Sequence, residues 1–292
     1  MLISLSPSDC YCTGYFLSNV CKTTTGEFRV NLFNCSIGDQ GCKYLVSGLL
    51  KHLDSPSMVA TKLNINLGLN NIAVQGISNL CKLLQNDCVS ILDLSGNKGV
   101  SNQGAVYISK ELRSSTSLRQ LHLQECSITP EGAGSIAEAI ITNTSLEELD
   151  ISGNLLWDKG IAYVSLALTV NCNLKTLLLA GCGMTNLGLW HLANALLQNS
   201  SLTRLDIWNA DCDNDYLYPN FICDDGVAFL TECLKKNSVL SELNLPGDFK
   251  LSAATAQEAI NERRRRSGLP LIKVKGKFSF SCLLYTSDAA DE

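Results

Sequence analysis

The chain has 292 residues, 46% of them hydrophobic and 17% charged, which is enough apolar material for one large core or two modest ones and excludes a disordered polymer. The formal charge of -5 conceals a basic end, because Arg263 to Arg266 with Lys273, Lys275 and Lys277 are all cationic, so bulk charge does not identify a partner. No apolar run approaches membrane-spanning length, the first residues lack a secretory leader's basic and apolar regions, and the fourteen cysteines form no CxxC pair or Cys/His cluster at zinc spacing, so reduced thiols in a cytoplasmic protein are expected.

In chain order, residues 1–23 read as a capping helix, with Ser6 as N-cap, Pro7 in the first turn and Asp9 at the capping-box position. Its Phe16, Leu17 and Val20 would cover the strand that follows. From residue 24 to residue 281 a motif LxxLxLxx(N/C)x(I/L)xxxG recurs. Its middle apolar residue falls at Val30, Ile65, Leu92, Leu121, Leu149, Leu177, Leu205, Leu243 and Ile272, in steps of 35, 27, 29, 28, 28, 28, 38 and 29 residues. A period near 28 with these leucines is the signature of leucine-rich repeats, each unit one short strand and one helix. The two long steps are units with loop insertions of roughly seven and ten residues.

Each motif position has a physical task. Residues two apart, such as Leu121 and Leu123, share one face of a strand and point into the core. Asn70, Asn97 and Asn154 would turn inward to bond backbone groups, and the thiols of Cys35, Cys126 and Cys182 would do so weakly. Glycines 41, 76, 104, 132, 160, 188 and 226 fall where the chain enters a helix and where close approach or a positive φ suits a residue without Cβ. One unit cannot bury its own leucines, so units must stack. The expected fold is an α/β leucine-rich-repeat solenoid, a horseshoe with a parallel sheet on its concave face and helices on its convex face.

The second insertion, Asp211 to Gly226, begins with Asp211, Asp213 and Asp215, like the first half of a calcium loop. The loop then needs Gly and Glu, and finds Tyr216 and Ile222, so no metal is assigned and the insertion reads as a partner-specific lip. Free thiols are expected at Cys212 and Cys223. Asn34, Asn143 and Asn199 match the glycosylation sequon, but two of the three simply precede the first leucine of a unit, where the repeat favours a polar cap followed by Ser-Leu, and glycosylation is not expected. The run Arg263 to Arg266 reads as a solvated helix end beside the C-terminal dipole, and lacks the neighbouring aromatics that nucleic-acid binding would use. Lys273 and Lys275 in LPLIKVKGK would discourage pairing at the edge of a last strand. Residues 282–292, CLLYTSDAADE, look like the in-frame translation of a sequencing-library adapter and are set aside.

Chemistry is thinly supplied. There is no GxxxxGK[ST] loop, and only His52, His122 and His191 offer an imidazole, so no catalytic residue, cofactor or metal ligand is assigned and an enzyme is not expected. Register alone identifies the outward strand positions: Arg29, Asn31, Phe33; Asn64, Asn66; Ile91, Asp93, Ser95; Gln120, His122, Gln124; Glu148, Asp150, Ser152; Thr176, Leu178, Ala180; Arg204, Asp206, Trp208; Glu242, Asn244. From these, Arg29, Phe33, Asp93, His122, Glu148, Asp150, Arg204, Asp206, Trp208 and Glu242 are the candidate protein-binding residues, with an exposed Trp208 beside Asp206 and Arg204 as the expected anchor. The partner is expected to be a protein or another macromolecule, not nucleic acid and not a membrane.

Phrases such as SLEELDISGN (Ser145 to Asn154), with Asn and Cys alternating at the turn, resemble the ribonuclease-inhibitor class of leucine-rich repeats over about residues 24 to 275. This class is shared by the C-terminal arms of NOD-like receptors, by Ran GTPase-activating proteins and by ribonuclease inhibitors. The unit TNTSLEELDISGN most resembles the receptor arms. That resemblance implies a ligand-sensing or autoinhibitory arm of an innate-immune switch protein, with a nucleotide-binding module outside this chain. The alternatives are activation of a Ran-type GTPase and inhibition of a ribonuclease.

Overall fold

A computed structural model describes residues 27–53, 62–208, 218–246 and 253–276. The capping helix expected over 1–23, the aspartates at 211, 213 and 215 with Cys212, and the tail at 282–292 lie outside the described residues. Nine strands alternate with eight helices among the described residues. The strands are β1 (Glu27–Asn31), β2 (Lys62–Asn66), β3 (Val89–Asp93), β4 (Gln120–His122), β5 (Glu148–Asp150), β6 (Thr176–Leu178), β7 (Arg204–Asp206), β8 (Glu242–Leu245) and β9 (Lys273–Gly276). The helices are α1 (Gly38–Leu53), α2 (Val74–Leu84), α3 (Ser101–Leu112), α4 (Pro130–Thr142), α5 (Trp157–Leu168), α6 (Asn186–Leu196), α7 (Asp224–Leu234) and α8 (Ala253–Arg266).

The strands form one parallel sheet in sequence order, and consecutive helices pack side by side behind it. Strands lie about 4.8 Å apart and helices about 8–10 Å apart, so the stack bends with the sheet inside. The chain is an α/β leucine-rich-repeat solenoid. Its core is continuous: Leu121, Leu149, Leu177 and Leu205 stand directly opposite one another in register, each with no exposed surface. A fully buried leucine contributes roughly 1.5–3 kcal/mol, and one unit alone could bury none of these.

Eight of the nine aligned positions pair as the spacing predicts, and the ninth does not. Val274, not Ile272, lies opposite Leu243. Ile272 is held instead by Asn261 of α8, whose Oδ1 accepts its N–H at 2.8 Å and whose Nδ2 donates to its carbonyl at 2.9 Å. The Arg263 to Arg266 helix end is also corrected in part. Arg263, Arg265 and Arg266 are exposed, but Arg264 is fully buried, with Nη1 donating to the Leu240 carbonyl at 2.9 Å. It takes the carbonyl that Leu146, three units earlier in the motif, presents to Asn173.

The Asn and Cys turns have different bonding. Asn154 reaches into the preceding unit: Oδ1 accepts the N–H groups of Cys126 (3.0 Å) and Ile128 (2.9 Å), and Nδ2 donates to the carbonyl of Leu123 at 2.8 Å. Asn70, Asn97 and Asn220 act likewise. In the Cys units the thiols of Cys126 and Cys182 donate weakly to the Leu94 and Ile151 carbonyls, while their own carbonyls accept the N–H of Ser101 and Trp157, each at 3.0 Å. Ser101 and Trp157 adopt φ of +53° and +50° to make that bond. Gly38, at φ +58°, makes the same bond to the Asn70 carbonyl at 2.9 Å, so what sets the Asn turns apart is the side-chain Oδ1 that accepts two N–H groups of the preceding unit. Burial pushes the Cys126 thiol up to about 12, so it stays protonated and able to donate.

The helix-entry glycines serve close approach. At Gly188 a Cβ would lie 2.6 Å from Asp158 Oδ1 and 2.7 Å from Met184 Cγ, and at Gly132 2.6 Å from Asn102 Oδ1. Those same side chains cap the next helix: Asp158 accepts the N–H groups of Thr185 and Gly188, both at 2.8 Å. A further ladder runs along the opposite end of the units. Nδ2 of Asn171 donates to the Ile140 and Asn143 carbonyls, and its Oδ1 accepts the N–H groups of Asn173 and Leu174. Asn143, Asn199 and Asn237 repeat the pattern, which accounts for two of the three sequons.

Candidate functional site

Parallel register turns the outward strand residues into rows that cross the sheet. The first row includes Arg29, Gln120, Glu148, Thr176, Arg204 and Glu242, and the second includes Asp93, His122, Asp150, Leu178 and Asp206. A third, just past the strands, contains Phe33, Ser152, Ala180 and Trp208, linked by continued backbone bonds such as Gly181 N–H to the Trp208 carbonyl at 3.1 Å.

The second row has a structural duty that the sequence reading did not assign. Oδ1 of Asp93 and of Asp150 accepts the N–H two residues on at 2.9 Å, and Asp206 does so at 3.0 Å to Trp208. Asn31 and Asn66 do the same at 3.1 and 2.9 Å. These Asx turns end the strands, so each of the three candidate aspartates offers only its other oxygen to a ligand. For Asp206 that oxygen already accepts from Asn244 Nδ2.

At the centre, His122 stands between Asp93 and Asp150 in register. Its Nε2 lies 3.1 Å from Glu148 Oε1, and both side chains are about three-quarters covered, at 25% and 27% exposure. Burial raises the Asp150 carboxyl above its ordinary value and Asp206 adds to this, against hydrogen bonds from Ser152 and the nearby His122. Ser152, the hydroxyl two residues on, is buried and its Oγ accepts the Ala180 N–H at 3.1 Å. This arrangement presents acceptors around an imidazole, which suits recognition of a basic or hydrogen-bond-donating segment.

A second cluster lies on β7 and β8. Arg204 Nε and Glu242 Oε2 are 3.9 Å apart, with side chains 46% and 45% exposed, a loose surface pair of little energetic weight. Trp208 is half-buried rather than exposed, so the expected anchor presents only part of its ring. Arg29 on β1 and Phe33 just past it stand six strand spacings from β7, about 28 Å, so the ten candidates form a band and not a pocket. Phe33 is 49% exposed and lies over Gly68, where a Cβ would be 2.9 Å from its ring.

Sequence reasoning missed Lys273 and Lys275 as sheet-face residues. Because β9 pairs through Val274, they stand opposite Glu242 and Asn244 and give the acidic face a basic flank. The alternation of Ile272, Lys273, Val274 and Lys275 could have placed them, because a shift of two residues keeps the same face outward; only their partners Glu242 and Asn244 depend on the register. Among the described residues no group of His, Cys, Asp and Glu is arranged to hold a metal ion, and no helix is long and apolar enough to cross a membrane.

Three central stretches, 85–109, 114–137 and 142–165, match the family model described as Leucine Rich repeat. Among solved structures, the chain is similar to the leiomodin-1 actin-binding site 2, with 18% identity over 57% of this chain and 88% of that one and a TM-score of 0.45. It is also similar to the tropomodulin C-terminal domain of Caenorhabditis elegans, with 13% identity over 57% of this chain and 95% of that one and a TM-score of 0.43. A third similarity is to TLR13 in complex with ssRNA13, with 17% identity over 78% of this chain and 27% of that one and a TM-score of 0.43. A search of curated proteins finds no match.

Proposed function

We propose that the chain is a non-enzymatic recognition module that holds a protein segment across its concave sheet, from β3 to β9. The observation that carries this reading is the in-register band with Asp93, Glu148 and Asp150 around His122 and with Lys273 and Lys275 at its end. Photo-crosslinking residues placed at Leu178, on the sheet, and at Gln103, on α3, test it. A partner captured through Leu178 and not through Gln103 is expected, and the reverse pattern refutes the proposal.

The finer reading is a cytoplasmic ligand-sensing or autoinhibitory arm of a NOD-like-receptor-type protein. Its support is the unit length, the Asn/Cys alternation and the phrase TNTSLEELDISGN. A ligand on the arc would act by binding one state of an attached nucleotide-binding module more tightly than the other. Full-length transcript sequencing is expected to find an upstream P-loop module; a frame holding only repeats refutes the receptor reading. The acidic centre also suits a basic ribonuclease, and a ribonuclease inhibition assay separates that alternative. Faster phosphate release from a GTP-loaded GTPase would identify the Ran-type activity.

A further inference from the structure

Two neighbouring helices, α5 and α6, are apolar on both faces. Inward, α6 buries Leu189, Leu192, Ala193 and Leu196 against the core. Outward it turns Leu187 and Trp190, with the C-cap residue Leu197, to solvent at 57%, 48% and 42% exposure, a stripe at helical spacing. On α5 and just past its end the outward stripe is Tyr163, Leu166 and Val170, at 40%, 63% and 57%.

The stripe is also free of charge. The α6 sequence NLGLWHLANAL has no Asp, Glu, Lys or Arg, and the only charges of α5, Asp158 and Lys159, stand in its first turn. The flanking helices are ordinary in this respect, with Glu131 and Glu138 on α4 and Asp225 and Glu232 on α7. Aromatic contacts join the surface across helices: Trp190 stacks on Phe229 of α7 with centroids 6.4 Å apart, and the Tyr163 ring lies over Gly134 of α4, where a Cβ would be 3.3 Å away. A helix apolar all round is normally buried, and a contiguous exposed apolar patch marks a surface that something covers.

We propose that this face is a homodimer interface, with the α5–α6 surface of one chain packed against the same surface of a second copy. The occupant must itself be apolar and uncharged, because any charge brought onto this patch would be desolvated with no counter-charge to meet it. The chain carries such a surface, and an isologous contact uses one patch twice. The exposed parts of the six stripe residues and their margins amount to roughly 700 Å² per copy, close to the 800 Å² or so per partner of a standard stable interface. The contact lies on the side opposite the concave sheet, so it stands or fails independently of the recognition proposal.

Sedimentation equilibrium of the full chain over roughly 1–100 μM tests this directly. The mass is expected to rise towards twice that of one chain, and Leu166→Lys and Trp190→Glu are each expected to weaken association at least about tenfold. Gln103→Lys, outside the patch, leaves it unchanged. Circular dichroism melts confirm that the variants fold, and Leu187→Lys serves if either does not. A single-chain mass throughout, whether or not the chain pellets with lipid vesicles, overturns the proposal, as does a dimer that these substitutions leave intact.

Discussion

The repeat motif treats Asn and Cys as interchangeable at the turn, and the structure says they are not. Replacing Asn154 by Cys removes the acceptor for two buried N–H groups, those of Cys126 and Ile128, and the strong donor to the Leu123 carbonyl. A thiol can still donate weakly to that carbonyl, as Cys126 does to Leu94. It does not replace the amide oxygen as acceptor, since the thiols of Cys126 and Cys182 act as donors in their hydrogen bonds. Each buried donor left unpaired costs about 1–3 kcal/mol, so Asn154→Cys is expected to destabilise by about 2–5 kcal/mol. With a urea m-value of about 3 kcal/mol/M for a chain of this size, the midpoint falls by about 1 M. Trp157, Trp190 and Trp208 lie in this unit and the two that follow, so their fluorescence reports its loss. A midpoint shift equal to that of a surface control would refute the role given to the Asn154 side chain.

Four further outcomes are expected. Burial opposes ionisation of Asp87, but hydrogen bonds from Thr116 and Ser117 hold its carboxyl down to about 2. Its contribution is thus complete above the unfolded value of about 3.9 and is lost as pH falls through about 2, an acid limb that should be missing from the melting profile of Asp87→Asn. For Asp150 the sign is opposite: burial raises its carboxyl, so its contribution is present in acid and lost as pH rises. Asp150→Asn, which keeps the Oδ1 acceptor as Asn31 and Asn66 do, should raise the melting temperature at neutral pH and not in acid. Gly188→Ala forces a methyl group against Asp158 and Met184 and is expected to cost about 1–3 kcal/mol in denaturant melts. Intact-mass measurement after expression through a secretory route should show no glycan on Asn143 or Asn199, whose amides are buried and bonded.

Much of the fold was legible because its signals are local. Leucines two apart and a period near 28 place strands, helices and core, and seven of the eight strand registers follow from counting alone. Counting failed where a contact outside the motif intervened. Asn261 moved the last strand by two residues, and Asn220 occupies the turn position beyond the insertion, where no count from Leu205 finds it. The candidate site was legible only as a list of faces. That Asp93, Asp150 and Asp206 also end their strands, and that Trp208 is half-covered, required coordinates.

The sequence by itself determined the repeating unit and the inward leucines, since each is a property of residues close together in the chain. Only the tertiary structure decided which turn each Asn or Cys supports, why Arg264 is buried, and that the uncharged outer faces of α5 and α6 adjoin. Those facts depend on partners one unit away, such as Asn154 with Cys126 at a separation of 28 residues. A stacked array satisfies its buried polar groups between units, so the decisive bonds are invisible within any one of them.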